Sequence, residues 1–384
     1  MILRRLVRAQ AILVAALIAA PAISLAQTAP LTQSQLAEQT PEQLAARAAS
    51  RAANRNRPGP WWSAVSARPD DWYRTDEGRR ITANILSWQD ASGGWPLMNT
   101  TNEPFTGDLS AAGPWGTKGA LIKATVNEMR FLARAHLATG EARDLQAVRR
   151  GLRFILRNQY PSGGWPHSVP PPETGYERYA TFNDDMMVDL MILLREVAAG
   201  GDFQALPAED RLAAQAAFNA ALDFILRSQI VVDGRLTAWG QQHDEVTLEV
   251  RPARTFEPAG ISGGESAGVL MLLMSIDAPS PEVVRAIEGG VDWYDRSQIR
   301  GVSVVLENGD RIVRPDPDAP PLWARLYEVE TNRPIFAGRD SVVRYSLAEI
   351  EQERRAGYGW YNQAGAAVLA RYRGWRGRRA GLPG

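Results

Sequence analysis

The chain has 384 residues, with 43 basic and 43 acidic side chains, 45% hydrophobic residues and no cysteine. This length suffices for one to three domains with a sizeable core. A net charge of zero excludes a bulk attraction for nucleic acid or other polyanions, so an acidic ligand would need a local basic cluster. Without cysteine the chain has no disulfide framework, no catalytic thiolate and no cysteine-ligated metal.

Residues 1–26 have the pattern of a secretory signal peptide. Three arginines precede a short apolar run, and small residues that end at Ala26 offer a cleavage site. The apolar run is shorter than the roughly 20 residues that span a bilayer, so a membrane anchor is the less favoured alternative. We therefore expect an exported protein, secreted or periplasmic, that has no membrane segment after cleavage and is a monomer.

Residues 27–60 are rich in Ala, Gln and Arg and lack the aromatic residues of a core element. Thr40 and Pro41 are suited to begin one helix in this stretch. We interpret residues 27–60 as a linker or N-terminal arm, and residues 61–384 as the globular domain.

From residue 78 onwards, apolar residues recur at steps of three and four, the spacing of amphipathic helices. This spacing predicts helices at residues 78–88, 124–138, 145–158, 186–199, 211–228, 266–276, 281–296 and 347–372. Only two β-hairpins are predicted, around Asp233-Gly234 and Asn308-Gly309. The Gly/Pro-rich loops 91–118 and 161–180 each follow a helix, and loops of such length in compact domains are usually functional.

One motif recurs about every seventy residues. Gln-x3-Gly-Gly-Trp occurs at Gln89 and Gln159, and the helix end that precedes it returns at Gln229 and, more loosely, at Gln298. A fixed period indicates a supersecondary unit that has been copied and stacked. Seventy residues hold two or three helices and a long loop. We therefore predict a ring of helices whose loops gather on one face around a large cleft.

The repeated motif has two interpretations. In the structural one, which we favour, the glutamine ties a helix end to a loop and the tryptophan caps the core. A similar motif marks the terpene cyclases, which also have α/α rings. Their Asp-x-Asp-Asp motif is absent here, and the loops are full of Asp, Asn, His and Arg rather than apolar residues.

Two adjacent carboxylates, Asp184 and Asp185, stand at the start of the apolar helix 186–199. Capping of that helix by Asn183 or Asp184 would explain them, because acidic residues favour a helix N-terminus. The alternative is a hard-cation site, because calcium binds clustered carboxylate oxygens.

Arg254, Arg325 and Arg339 stand among prolines, aromatic residues and glycines, a setting that a solvated surface explains poorly. The planar fork of a guanidinium is suited to bind a carboxylate through two hydrogen bonds. Internal salt bridges that fix these loops are the alternative. The densest polar run, 229–245, contains Trp239 and His243, which we add with Lys123 as candidate substrate-binding residues.

In their order, these segments resemble family 10 of the polysaccharide lyases, the pectate lyases, over most of residues 78–375. The resemblance depends on the two Gly-Gly-Trp-Pro loops, on Phe-Asn-Asp-Asp at 182–185, on Pro-Ala-Arg at 252–254, on Glu-Ser-Ala-Gly at 265–268, on Ser-Pro-Glu at 280–282 and on the segments 229–245, 322–327, 332–339 and 345–350. It implies an all-α dominated fold, an incomplete α/α toroid of about three helical-hairpin repeats with long loops and a few short β-hairpins.

The resemblance also implies a function, the cleavage of polygalacturonate by β-elimination. Matched residue by residue, it makes Arg254 the base that removes the C5 proton, and Arg325 and Arg339 substrate-binding residues. Calcium would be held by the pair Asp184 and Asp185, with Asp184 foremost.

The sequence departs from the family at one place. Members carry an Asp-Asn pair on the helix that leads into Arg-Phe-Leu-Ala at 130–133, where this chain has Leu121 and Ile122, with Lys118 and Lys123 close by. Because the number of charged ligands helps to set calcium affinity, we expect a weaker calcium dependence than in the family. The lysines replace part of the charge or lie on a solvated face. The alternative function is a non-catalytic or altered-metal protein that binds oligogalacturonides.

Overall fold

The computed structural model describes residues 65–96, 104–105 and 122–380, without the side chains of residues 122–124 and 380. Contacts divide the chain into two units, Met1–Arg57 with Leu306–Asp310, and Pro58–Val305 with Arg311–Gly384. Of the first unit, only the turn Leu306–Asp310 is described. The predicted signal peptide and linker lie outside the described residues. No described helix is both long and apolar enough to cross a membrane.

The eight long α-helices described in the second unit lie in two rows, and each packs on the next one in its row and on its neighbour in the other row. One row contains α1 (Asp76–Ser87), α3 (Ala142–Arg157), α5 (Ala208–Ser228) and α7 (Pro281–Arg296). The other contains α2 (Ile122–Thr139), α4 (Met186–Ala199), α6 (Glu265–Leu273) and α9 (Ala364–Ala380), preceded by the short α8 (Gln352–Gly357). The predicted α/α toroid is confirmed. Each repeat is a first-row helix, a loop and a second-row helix.

The strands are short and lie in the loops between the rows. They are β1 (Ala180–Thr181), β2 (Val231–Val232), β3 (Arg235–Leu236), β4 (Gln242–His243), β5 (Val250–Arg251), β6 (Ile261–Ser262), β7 (Val302–Glu307), β8 (Asp310–Pro315), β9 (Trp323–Ala324), β10 (Leu326–Tyr327), β11 (Pro334–Ala337), β12 (Val343–Arg344) and β13 (Tyr361–Asn362). They pair antiparallel in the orders β1-β4-β5, β12-β11-β10-β6, β13-β9, β2-β3 and β7-β8.

Both predicted hairpins are confirmed, as β2-β3 and β7-β8. Their turn residues all have positive φ, 50° and 74° at Asp233 and Gly234 and 47° and 76° at Asn308 and Gly309, as a two-residue hairpin turn with the twist of the strands requires. The remaining strands are two to four residues long, too short for an alternation of apolar and polar residues to appear in the sequence.

The prediction of one helix over residues 347–372 is wrong. A 3₁₀ turn at Leu347–Glu349, helix α8, strand β13 and helix α9 occupy this segment instead. Trp360 is buried against Phe336, and β13 pairs with β9, so distant partners decide the conformation of the segment. The helical spacing of its apolar residues did not reveal these partners.

The repeated glutamine ties three first-row helices, α1, α3 and α5, to the loops that follow them and to the next helix of that row. The Nε2 of Gln159 donates to the carbonyl oxygens of Gly163 and Ala217 at 2.8 and 2.9 Å. Gln89 repeats these bonds with Gly93 and Ala147 at the same two distances. The structural interpretation of the motif is thereby confirmed for its glutamine.

The first glycine of each Gly-Gly-Trp motif is required by a close approach of two backbones. Gly93 and Gly163 have φ of 97° and 106°, which L side chains rarely adopt. A Cβ at these positions would lie 2.5 Å from the carbonyl oxygen of Arg150 and 2.1 Å from that of Ala220. No larger residue fits either position without a backbone shift.

Four buried tryptophans each donate Nε1–H to a carbonyl oxygen at a first-row helix. The donors and acceptors are Trp95 to Ile85, Trp165 to Ile155, Trp239 to Ile225 and Trp323 to Tyr294, at 2.8, 2.9, 2.8 and 2.8 Å. A buried indole needs a partner for its N–H, and a carbonyl near a helix end has no partner within the helix. This tryptophan contact therefore occurs four times in the described residues, one more than the three repeats that we predicted.

We expect Gln229→Ala to lower the free energy of unfolding by about 2 kcal/mol, because it removes two buried hydrogen bonds, one to the carbonyl oxygen of Thr237 and a second one to that of Ala286 within α7. The Nε2 of Gln229 bonds to Thr237 and Ala286 at 2.8 and 2.9 Å. Gln298 is the matched control, because its Nε2 bonds only to the nearby Asp295 at an exposed position. Urea unfolding should give a loss below about 0.5 kcal/mol for Gln298→Ala. Equal losses of unfolding free energy in the two variants would contradict the stabilising role of the Gln229 hydrogen bonds.

Candidate active site

Arg254, Arg325 and Tyr358 come together from three separate loops. Arg254 follows β5, Arg325 joins β9 to β10, and Tyr358 follows α8. The Tyr358 ring centroid lies 5.5 Å from the Arg254 guanidinium and 4.8 Å from that of Arg325. An aromatic ring attracts cations through its quadrupole, so Tyr358 holds two arginines beside each other.

Glu257 fixes the Arg254 guanidinium. Its carboxylate accepts Nε and Nη2 of Arg254 at 2.7 and 2.5 Å, and it also accepts the hydroxyl of Tyr358. Burial by itself lowers the pKa of Arg254, but the hydrogen bonds and charge of Glu257 outweigh burial, so this pKa is raised. Burial would raise the pKa of Glu257, and Arg254 instead holds it below its ordinary value. The pair is therefore ionised in this state.

Arg325 belongs to a second network. Its Nη2 donates to Glu265 at 2.5 Å and to the Oδ1 of Asn183 at 3.4 Å, and Gln241 donates to the same two acceptors. Burial lowers the pKa of Arg325, but the charges of Glu265, Tyr358, Glu257 and Asp184 together outweigh it, so the pKa is raised. The Nε of Arg325 is buried and has no hydrogen-bond partner.

Arg339 is joined to Arg254 through an aromatic ring. The Phe256 ring centroid lies 5.0 Å from the guanidinium of Arg254, 6.0 Å from that of Arg339 and 4.4 Å from that of Arg354. Glu353 accepts Nε and Nη2 of Arg339 at 3.2 and 3.1 Å. Arg254, Arg325 and Arg339 with the rings of Phe256 and Tyr358 form what we call the arginine cluster. All three arginines have internal salt bridges, as the alternative interpretation predicted.

Asp184 and Asp185 have an unusual backbone. Both are exposed, with φ of 55° and 58° in the left-handed region, where two consecutive non-glycine residues are uncommon. Asp185, the N-cap residue of α4, makes no side-chain cap hydrogen bond. Residues held in sparsely populated regions tend to cluster at functional sites.

The two aspartates have different surroundings. The charge of Asp184 contributes to the raised pKa of Arg325, so this carboxylate lies within electrostatic reach of the arginine cluster. The Oδ1 of Asp185 lies 2.2 Å from where a Cβ would stand at Gly268, which places this carboxylate against α6. Asp184 is therefore the carboxylate that accompanies the arginines.

The described residues supply only part of a calcium shell. Calcium takes six to eight oxygen ligands, and the described residues contain no group of three or more acidic or histidine side chains that could hold a metal ion. Lys118 and Leu121 lie outside the described residues, as do the side chains of Ile122 and Lys123. The predicted consequence of having Leu121 and Ile122 in place of an Asp-Asn pair is therefore not tested.

The prediction that Trp239 and His243 bind substrate is wrong, because both side chains are fully buried. Trp239 is the third tryptophan of the repeat. The Nε2 of His243 accepts the backbone N–H of Gly240 at 3.0 Å. Its Nδ1 bonds to the carbonyl oxygen of Leu248 at 2.8 Å. A side chain without exposed surface cannot contact a polysaccharide, so both residues stabilise the loop under the site.

The buried His243 should make the protein sensitive to acid. Burial lowers the pKa of His243 to about 4, whereas the unfolded chain has the ordinary value of 6.5. The unfolded state therefore binds more protons between these values, and stability falls as the pH drops through this window. From pH 7 to pH 4.5 we expect urea unfolding of the wild type to lose roughly 2 kcal/mol more than that of His243→Gln. Identical losses would contradict this account.

Several residues of the site were missed by sequence reasoning. They are Glu257, Glu265 and Tyr358, and in addition His167 and Tyr176 in the loop between α3 and α4. Glu257 could have been found, because it follows Arg254 by three residues. Tyr358 was hidden in the helix that we wrongly predicted, and His167 lies in a loop that was predicted to be functional as a whole.

The model of the pectic acid lyase family matches residues 89–369 of this chain. The chain belongs to this family. It is a polysaccharide lyase, which excludes the terpene cyclase interpretation. No curated protein matches the chain.

Two solved structures resemble this lyase along most of its length. One is a mutant family 10 polysaccharide lyase from Cellvibrio cellulosa in complex with trigalacturonic acid, with 27% sequence identity and a TM-score of 0.69, covering 84% of this chain and 96% of that chain. The other is a family 10 polysaccharide lyase from the same organism, with 28% identity and a TM-score of 0.66, covering 81% and 98%.

Proposed function

We propose that this lyase cleaves polygalacturonate by β-elimination in the arginine cluster. The observation that carries the proposal is the convergence of Arg254, Arg325 and Arg339 from separate loops onto Phe256 and Tyr358, with Asp184 in electrostatic reach. A polyuronate presents one carboxylate on each ring, which matches a set of guanidinium groups. The complex of the similar Cellvibrio lyase with trigalacturonic acid supports the choice of ligand.

The arginine cluster is suited to the chemistry of this reaction. The C5 proton lies next to a carboxylate and is weakly acidic, and its removal places further negative charge on the carboxylate oxygens. Fixed donors aimed at a charge that develops lower the barrier most. Arg325 and Arg339 are the residues that we assign to carboxylate binding.

Arg254 is the residue that we assign to the C5 proton, and its ion pair sets a condition on that role. A protonated guanidinium cannot accept a proton, and Glu257 stabilises the protonated form. A base role therefore requires that substrate or alkaline solvent break the contact between Arg254 and Glu257. With the contact intact, Arg254 stabilises the charge that develops on the uronate carboxylate.

We further infer that Asp184 helps to hold calcium, and that uronate oxygens complete the shell that the described residues leave incomplete. When bound, the ion would supply positive charge to a substrate carboxylate. The tests of this assignment are binding measurements and activity after chelation.

Absorbance of the unsaturated product, followed on polygalacturonate at alkaline pH, tests the proposed activity. The wild type should form product, and Arg254→Ala should not. Polymers of other uronic acids serve as competing substrates. Equal rates for the wild type and Arg254→Ala on every uronate polymer would overturn the proposal. Retardation in a pectate gel without product would favour an oligogalacturonide-binding protein.

Export is also proposed, on the pattern of residues 1–26. Expression of the full chain in a bacterium with an outer membrane should yield a mature protein that begins at Gln27 in the periplasm or medium. N-terminal sequencing of each fraction is the measurement. An uncleaved chain confined to the cytoplasm would contradict export.

A further inference from the structure

His167 is held firmly beside the arginine cluster. It directly follows the second Gly-Gly-Trp-Pro motif, in which Trp165 and Pro166 are buried. Its backbone N–H donates to the carbonyl oxygen of Glu177 at 3.0 Å, and its ring lies 5.7 Å from that of Tyr176. The loop therefore holds the backbone of His167 and packs the Tyr176 ring against its imidazole.

The charges that act on His167 are those of the proposed active site. Asp184, Glu177, Arg254 and Glu257 all influence its titration, and the same four residues influence that of Tyr176. Burial nevertheless dominates and lowers the pKa of His167. The imidazole is therefore neutral at the alkaline pH at which a pectate lyase would be assayed.

The ring nitrogens of His167 have different surroundings. Nδ1 is buried and has no hydrogen-bond partner. Nε2 also bonds to no described residue, but it is not one of the buried atoms that lack a partner. A buried N–H without an acceptor is rarer than a buried acceptor without a donor. This difference favours the tautomer with a bare Nδ1 and the proton on Nε2, the nitrogen that a ligand can reach.

We propose that His167 is a substrate-positioning residue whose neutral imidazole donates its Nε2–H to an oxygen of a uronate ring bound at the arginine cluster. The inference rests on the proposed function. In contrast to the arginines, a neutral donor adds no positive charge, so it can select the orientation of a ring through a hydroxyl or carboxylate oxygen. It performs no proton transfer, because a neutral Nε2–H is too weak an acid.

Two amide substitutions test which nitrogen is used. The amide nitrogen of His167→Gln can stand where Nε2 stands, whereas that of His167→Asn corresponds to Nδ1. We expect His167→Asn to raise KM for polygalacturonate about tenfold with kcat within about twofold of the wild type, the effect of losing one hydrogen bond. His167→Gln should restore KM to within about threefold. His136→Asn, at a half-buried position on α2, is the control and should leave KM unchanged.

Equal KM values in the wild type and both His167 variants would overturn the proposal, and so would a loss of kcat in both variants with KM unchanged. If neither variant folds, the ¹⁵N shift of His167 Nε2 in the wild type decides. A change on addition of trigalacturonate supports the contact, and an unchanged shift at saturation overturns it. A wild type that binds trigalacturonate without cleaving polygalacturonate would contradict only the proposed cleavage of polygalacturonate.

Discussion

Replacement of Arg254 by lysine is expected to lower kcat on polygalacturonate about 10³-fold, the upper end of the loss that follows removal of a preorganised donor. Lysine keeps the charge but loses the planar fork, so it cannot bind Glu257 and a substrate carboxylate in fixed directions. KM should change by less than about threefold, because Arg325 and Arg339 still bind the chain. Steady-state formation of unsaturated product is the measurement.

Arg130 supplies the matched control. It forms a two-bond ion pair with Glu196, between α2 and α4, at 2.7 and 3.2 Å, similar to the pair of Arg254 with Glu257. Arg130→Lys should therefore retain wild-type kcat, although it weakens a salt bridge of the same kind. Equal losses in the two variants would mean that Arg254 acts only in folding, and would contradict its role in the reaction.

Glu257→Gln separates the two roles of Arg254. The carboxylate stabilises the protonated guanidinium, so its removal lowers the pKa of Arg254. If Arg254 is the base, the alkaline rise of kcat should move to lower pH by about one unit or more. An unmoved rise, with kcat reduced at every pH, would contradict the base assignment and leave Arg254 as a stabiliser of charge. Glu196→Gln should leave the profile unchanged.

Local signals predicted the helices best. The bounds of α4 and α7 agree with the prediction at both ends. For α7, Ser280 caps the helix by accepting the N–H of Val283, and Pro281 stands in the first turn. Such caps depend only on residues that are adjacent in the sequence. The conformation of residues 347–372 depends instead on Trp360 and on the pairing of β13 with β9, so it was not predictable from spacing.

The misassignment of Trp239 has a specific cause. In the first two repeats the capped carbonyl lies ten residues before the tryptophan, whereas Ile225 lies fourteen residues before Trp239. The hairpin β2-β3 stands in this interval and hid the third copy of the motif. Trp239 therefore appeared to be part of a polar, functional run, although it performs the same structural role as Trp95 and Trp165.

The site was predictable only in part. The resemblance supplied Arg254, Arg325 and Arg339, and the structure brings these residues together. It did not supply Tyr358, whose hydroxyl reaches Glu257 across 101 residues of sequence. Neither propensity nor spacing encodes such a contact, because it depends on how α8 and β13 pack beside the loop after β5.

Calcium is expected to bind this lyase weakly alone and tightly only together with a uronate chain. The described residues offer Asp184 and Asp185 but no group of three or more acidic or histidine ligands, and we propose that substrate oxygens complete the shell. Calorimetry on the inactive Arg254→Lys variant should give a Kd weaker than about 1 mM without ligand. Saturating trigalacturonate should tighten binding at least about tenfold, after subtraction of a blank titration of calcium into the sugar.

The two aspartates provide the internal control for this prediction. Asp184→Asn removes the carboxylate near the arginine cluster and should abolish the gain in affinity and lower kcat/KM about 10²-fold. Asp185→Asn should retain most of the gain in calcium affinity and most of kcat/KM, because that carboxylate lies against Gly268. After chelation, the wild type should regain full activity only at millimolar calcium, since few charged ligands hold the ion. Full recovery of activity at micromolar calcium would show that the protein alone provides a complete calcium site. The proposal that substrate oxygens complete the shell would then be wrong.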